Sequence, residues 1–153
     1  KFRIMSLQKE IMTKLKEAMK AKDSVALESL RAVKSAILLA QTETGAKEEL
    51  TEDQELKILQ KLVKQRKDSA QLFSEQGRED LATPELEQAA VIAQFLPAQM
   101  TEEAIEAAVV EIISQTGATG MKDMGKVMGM SSKKLAGKAD GKAIATIVKK
   151  LLA

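Results

Sequence analysis

Residues 120–126 read Gly-Met-Lys-Asp-Met-Gly-Lys, the spacing G-x-x-x-x-G-K that opens a phosphate-binding loop. That chemistry needs a serine or threonine after the lysine to hold magnesium, and a buried strand leading in. Here Val127 follows Lys126, and the preceding EIISQTGAT reads as the end of a helix. The glycines read instead as helix punctuation: Gly117 and Gly120 end a helix, while Gly125 and Gly129, four apart, allow close helix packing. Met121, Met124, Met128 and Met130 are expected to fill gaps in a core rather than to bind a metal. Ser131-Ser132-Lys133-Lys134 offers the hydroxyl and amine of a serine–lysine nucleophile, but such roles need groups that converge in space with a third, orienting residue. An exposed cap ahead of a basic segment is the expectation there.

The acidic pairs Glu48-Glu49, Glu52-Asp53 and Glu102-Glu103 fall at helix starts, where carboxylates complement the helix dipole. No metal site is assigned to them, and no cofactor is expected. The chain has no cysteine and no histidine. It therefore lacks disulfides, thiolate chemistry and the commonest general base and metal ligand at neutral pH. Catalysis would rest on strongly perturbed carboxylates, lysines or hydroxyls, which argues against an enzyme.

What remains is charge. Residues 117–153 carry eight lysines against two aspartates, a net of +6, while the other 116 residues carry a net of −4. Lys122, Lys126, Lys133, Lys134, Lys138 and Lys142 sit on short helices and turns where their ammonium groups can reach a phosphate backbone together. Helix starts near 123 and 141 add backbone N–H groups suited to anions. With three phenylalanines and no tyrosine or tryptophan, the chain offers no stacking platform for single strands. The fitting target is a structured RNA held by its phosphates and shape, with no DNA sequence specificity.

The elements that position these residues are helices throughout; no alternation of period two persists. Ser6 is expected to cap a first helix whose apolar face is Leu7, Ile11, Leu15, Ala18 and Met19. Asp23 or Ser24 caps a second, facing inward with Ala26, Leu30, Val33 and Ile37. After the polar loop QTETGAKEE, Thr51 and Gln54 have capping-box spacing and start a long third helix with the stripe Leu56, Leu59, Val63, Arg66, Ala70 and Phe73, ended by Gly77. Thr83-Pro84 reads as N-cap and first residue of a fourth helix carrying Leu86, Ala89, Ala90 and Ala93. Pro97 marks a boundary between domains 1–96 and 97–153. Beyond it, Thr101 caps a helix with Ile105, Ala108, Val109 and Ile112; a short helix covers about 123–130, and a last one starts at Gly141 behind Asp140, with Ile144, Ile147, Val148 and Leu151 facing in. The fold class is all-α: an N-terminal helical bundle followed by a smaller, basic C-terminal helical module. Met5-Ser6 looks like the more natural beginning, with residues 1–4 an extension. No apolar run approaches a membrane span, and the cytoplasm is the expected compartment.

These segments together resemble the YqeY-like family, itself similar to the tail domain of the B subunit of the bacterial tRNA-dependent amidotransferase. The resemblance runs from Met5 to the end and rests on MSLQKEI, LTEDQEL (50–56), KQRKDSAQLFSEQGREDL (64–81), FLPAQMTEEAI (95–105), DMGKVMG (123–129) and GKADG (137–141). It implies an N-terminal helical bundle joined to a smaller helical module. In the amidotransferase the related tail packs on tRNA while the amide chemistry, a carbon–nitrogen ligation with glutamine as donor, happens in other domains. Phe95 stands where the family usually carries tyrosine; the packing role survives and the hydroxyl is lost. The expected function is a stand-alone tRNA-binding accessory protein, not by itself an enzyme. The rival is a protein–protein adaptor docking through the third helix with Lys64, Arg66, Lys67 and Arg78, in which Arg66 is either a snorkelling core residue or a docking contact.

Overall fold

The computed structural model describes residues 6–43 and 50–153. The readings placed on residues 1–5 and on residues 44–49 of the polar loop, Glu48-Glu49 included, lie outside the described residues, while residues 41–43, expected in that loop, continue the second helix. Every regular element among those described is helical: α1 (Leu7–Ala21), α2 (Ser24–Glu43), α3 (Glu52–Glu75), α4 (Glu79–Ala93), α5 (Glu102–Thr116), a 3-10 turn (Met121–Asp123), α6 (Met124–Lys134) and α7 (Gly141–Leu152). They gather into two compact units, Lys1–Leu96 and Pro97–Ala153.

In the first unit, Ser6 Oγ accepts from the Lys9 amide at 3.3 Å and starts α1. Lys22 then turns the chain in a left-handed conformation (φ 54°), and Asp23 Oδ1 caps α2 by accepting from Ala26 N at 3.1 Å. The capping box of α3 is complete: Gln54 N donates to Thr51 Oγ1 at 3.2 Å, and Thr51 N donates to Gln54 Oε1 at 2.9 Å. Leu7, Ile11, Leu15, Leu30, Val33, Ile37, Leu59, Val63, Ala89 and Ile92 form the buried core, with Phe95 and Leu96 packed against it. Met19, expected on the inner face of α1, is 60% exposed. It lies at the edge of the apolar arc, outside the buried face of Leu7, Ile11, Leu15 and Ala18.

The chain passes from α3 to α4 through a Schellman turn. Arg78 N donates to Phe73 O at 2.8 Å and Gly77 N to Ser74 O at 3.0 Å, with Gly77 at φ 73°. This turn corrects the expected start of α4. The helix begins at Glu79, with Glu79 and Asp80 in its first turn, and Thr83-Pro84 lies inside it. Its buried face is accordingly Ala82, Ala89 and Ile92, whereas Leu86 and Ala90 are exposed. The small side chains of Ala82 and Ala89 let α4 lie close to α3, its most extensive partner. Arg66 is half-buried; its Nε donates to Gln88 Oε1 and its Nη1 to Leu62 O, both at 3.1 Å, so it ties α3 to α4 from the edge of the stripe.

In the second unit, Thr101 Oγ1 caps α5 through Ala104 N at 3.1 Å, and Gly117 (φ 68°) ends it. Ile105, Val109, Ile112, Val127, Leu135, Ile144, Val148 and Leu152 make the core. The segment entering this unit is fastened to the α6–α7 turn: Gln99 Nε2 donates to Gly137 O at 2.8 Å, and Met100 N donates to Lys138 O at 2.9 Å. No helix among the described residues is long and apolar enough to cross a membrane.

Candidate nucleic-acid interface

The short helix expected around 123–130 runs on to Lys134. Its inner face explains the extension: Val127, Ser131 and Leu135 recur every four residues and are all buried. Ser131 is therefore not an exposed cap. It sits mid-helix against the core, and its Oγ has no hydrogen-bond partner, so the Ser-Ser-Lys-Lys stretch holds no convergent nucleophile pair. Val127 is fully buried as well, and the backbone ahead of it is a 3-10 turn following an α-helix. That is not the strand–loop–helix frame of a nucleotide loop.

The outer face carries Gly125, Lys126, Gly129, Met130, Ser132 and Lys133, all exposed. A Cβ built on Gly125 or Gly129 meets nothing within 4 Å. The expectation that these glycines allow close helix packing is thus overturned: both look outward, and no neighbouring helix approaches them. Of the four methionines assigned to gap filling, Met124 and Met128 pack against the core, while Met121 and Met130 are 49% and 41% exposed.

Lys122, Lys126 and Lys133 share one side of the 3-10 turn and α6, since residues four and seven apart lie above one another. Lys126 and Lys133 are about 10 Å apart along the axis at 1.5 Å per residue. No acidic residue occurs within α6. Asp123 faces back, its Oδ2 accepting from Thr119 N at 3.0 Å. Lys134 points to another side, with Nζ 3.5 Å from Glu111 Oε2 on α5. Lys138 and Lys142 are exposed, on the α6–α7 turn and in the first turn of α7. Lys150 lies 3.7 Å from Glu106. Asp140 stands at the start of α7 without a capping hydrogen bond from its side chain.

The residues of the rival docking reading are not gathered in the same way. Lys64 Nζ lies 3.9 Å from Asp68, and Arg66 is held by Gln88. Arg78 donates from Nε and Nη2 to the two oxygens of Asp80 at 3.0 and 2.9 Å, a bond that holds the Asp80 carboxyl below its ordinary range and raises the guanidinium. Lys67 stays exposed. Glu52, Asp53 and Glu55 occupy the first turn of α3, and Glu102 and Glu103 that of α5. Among the described residues no three carboxylates gather as a metal site would require.

A model of Yqey-like proteins matches residues 8–152. The chain belongs to the YqeY-like family. It is similar also to altered inheritance of mitochondria protein 41, mitochondrial, of Clavispora lusitaniae, at 36% identity over 101 residues, which is 64% of this chain and 58% of that protein. This YqeY-like chain thus matches less than two thirds of that relative's length. Sequence reasoning missed Gln99, whose side-chain bond to Gly137 spans 38 residues and has no local signal. It also missed Ser131, although the spacing of Val127 and Leu135 around it marks a buried position.

Proposed function

We propose that this YqeY-like protein binds structured RNA, with tRNA the first candidate, through the lysine- and glycine-bearing outer face of α6 and the neighbouring Lys138 and Lys142. The observation that carries the reading is the pairing of three lysines with two uncovered glycines on one exposed, acid-free helix side. Ammonium groups supply phosphate contacts, and bare backbone lets a sugar–phosphate chain come close to the helix axis. The protein acts as an accessory factor related to the amidotransferase system and transfers no amide alone. The rival reading, docking through α3, has less support because Lys64, Arg66 and Arg78 are already engaged by their own chain.

Each lysine that meets a phosphate releases a condensed counterion, so four contacts give a log–log salt slope of roughly −3 to −4. Replacing Lys126, Lys133, Lys138 and Lys142 by glutamine is expected to weaken tRNA binding and flatten that slope, with the helical circular dichroism unchanged. Equal affinity and slope in the quadruple variant would overturn the reading.

A further inference from the structure

The first unit carries a second feature that the RNA reading does not use. Between α1 and α2 lies an apolar groove with a cavity of about 180 Å³, lined by Gln8, Ile11, Met12, Lys34, Ile37 and Leu38. Its floor, Ile11 and Ile37, belongs to the core. Its walls do not: Met12 and Leu38 are 42% and 50% exposed. One end is closed by Gln8 Nε2 donating to Gln41 Oε1 at 3.3 Å.

The charge pattern on the two walls is one-sided. Along α1 the flank reads Lys9, Met12, Lys16, Met19, at spacings of three and four. Along α2 the facing flank reads Leu27, Arg31, Lys34, Leu38 at the same spacings. Each flank holds two cations and two apolar side chains, and neither holds a carboxylate. The acids of α1 lie elsewhere: Glu17 pairs with Lys14 at 3.2 Å and lines a separate cavity on the opposite side of the helix, with Glu10 seven residues before it on that same side. None of Lys9, Lys16, Arg31 and Lys34 is ion-paired with another described residue.

We infer that this groove is a docking site for an amphipathic helix with an acidic flank, supplied by a partner protein. The concave apolar floor accepts inserted side chains, as helix-in-groove recognition requires. The unpaired cations on both walls select carboxylates on either side of the inserted face and repel a basic helix. From Gln8 to Met12 on α1 and from Lys34 to Leu38 on α2 the recess is little more than one turn long, which sets how many side chains the partner helix inserts, one or two, with the flanking cations of both helices reaching its neighbouring turns. A lipid surface fits less well, because the apolar atoms line a recess rather than a protruding face.

The test uses the full chain with methyl-labelled methionine and two synthetic helical peptides. Both present leucines at positions i, i+4, i+7 and i+11; one flanks them with glutamates, the other with lysines. The glutamate peptide is expected to shift the Met12 methyl signal while Met121 and Met130 stay in place, and to bind about tenfold tighter than the lysine peptide. K16E/K34E is expected to reverse that preference. L38S, at an exposed position, should weaken the glutamate peptide with the circular dichroism unchanged. Equal binding of the two peptides, or no shift at Met12, overturns the inference. So does a shift produced by phosphatidylserine vesicles and not by peptide, or one that appears on concentrating the protein alone, which would make a second copy the occupant.

Discussion

Gly129 lies in the middle of an 11-residue helix, and Gly125 in its first turn, yet neither is covered by anything. Glycine in a helix interior costs about 1 kcal/mol against alanine; at the second helical position the cost is about half that. G125A/G129A is therefore expected to stabilise the second unit by about 1.5 kcal/mol, because each new methyl group enters open space and both positions have ordinary helical geometry. For a unit of this size that is a rise in Tm of about 6–12 °C, read by calorimetry. The same variant is expected to bind tRNA more weakly. The methyl group at 129 stands between Lys126 and Lys133 and the one at 125 just ahead of Lys126, where they hold a phosphate backbone away from the helix. A triple K122Q/K126Q/K133Q variant separates charge from approach, since it flattens the salt slope by about two to three whereas G125A/G129A lowers affinity with the slope nearly kept. A variant that is stabilised as expected and binds tRNA with undiminished affinity would refute the argument that bare backbone serves the interface.

Ser29 and Ser131 are both fully buried, but Ser29 Oγ donates to Val25 O at 2.7 Å while Ser131 Oγ is unpaired. Replacing Ser29 by alanine should cost about 1 kcal/mol, and replacing Ser131 should cost nothing or stabilise by about 1 kcal/mol, read by hydrogen exchange within each unit. Pro84, the sixth residue of α4, removes a bond to Asp80 O, so P84A should raise the stability of the first unit by about 1–2 kcal/mol in urea unfolding. Purified protein given glutamine, ATP and misacylated tRNA should release no ammonia; turnover surviving removal of contaminating amidotransferase would disprove this.

The helix starts at Ser6, Thr51 and Thr101 were legible because each cap acts within four residues, and Gly117 because a left-handed end suits glycine. The start of α4 was not. Thr83-Pro84 is a sound local signal, but the Schellman turn at Gly77 had already turned the chain, and pairing with α3 sustains the helix through the proline. Its face was ambiguous for a related reason: alanines and leucines occur on two sides, and the approach of α3 and α2 selects one. The lysines of the candidate interface were legible as a local excess of charge. Their division into Lys122, Lys126 and Lys133 on one side and Lys134 paired with Glu111 required the true extent of α6 and the position of α5.

The bonds from Gln99 and Met100 to Gly137 and Lys138 have a mechanical consequence. Both bonds join residues 38 apart within the second unit, so the entering segment and the α6–α7 turn can open only together. The Lys138 carbonyl that receives the Met100 amide holds that lysine's backbone in place, and an anion meeting its ammonium group has less chain entropy to remove. Q99A removes one of the two clasps without touching any cation, so it should speed hydrogen exchange at Met100 and lower affinity for anions that need Lys138, while leaving contacts made through Lys126 and Lys133 as they were.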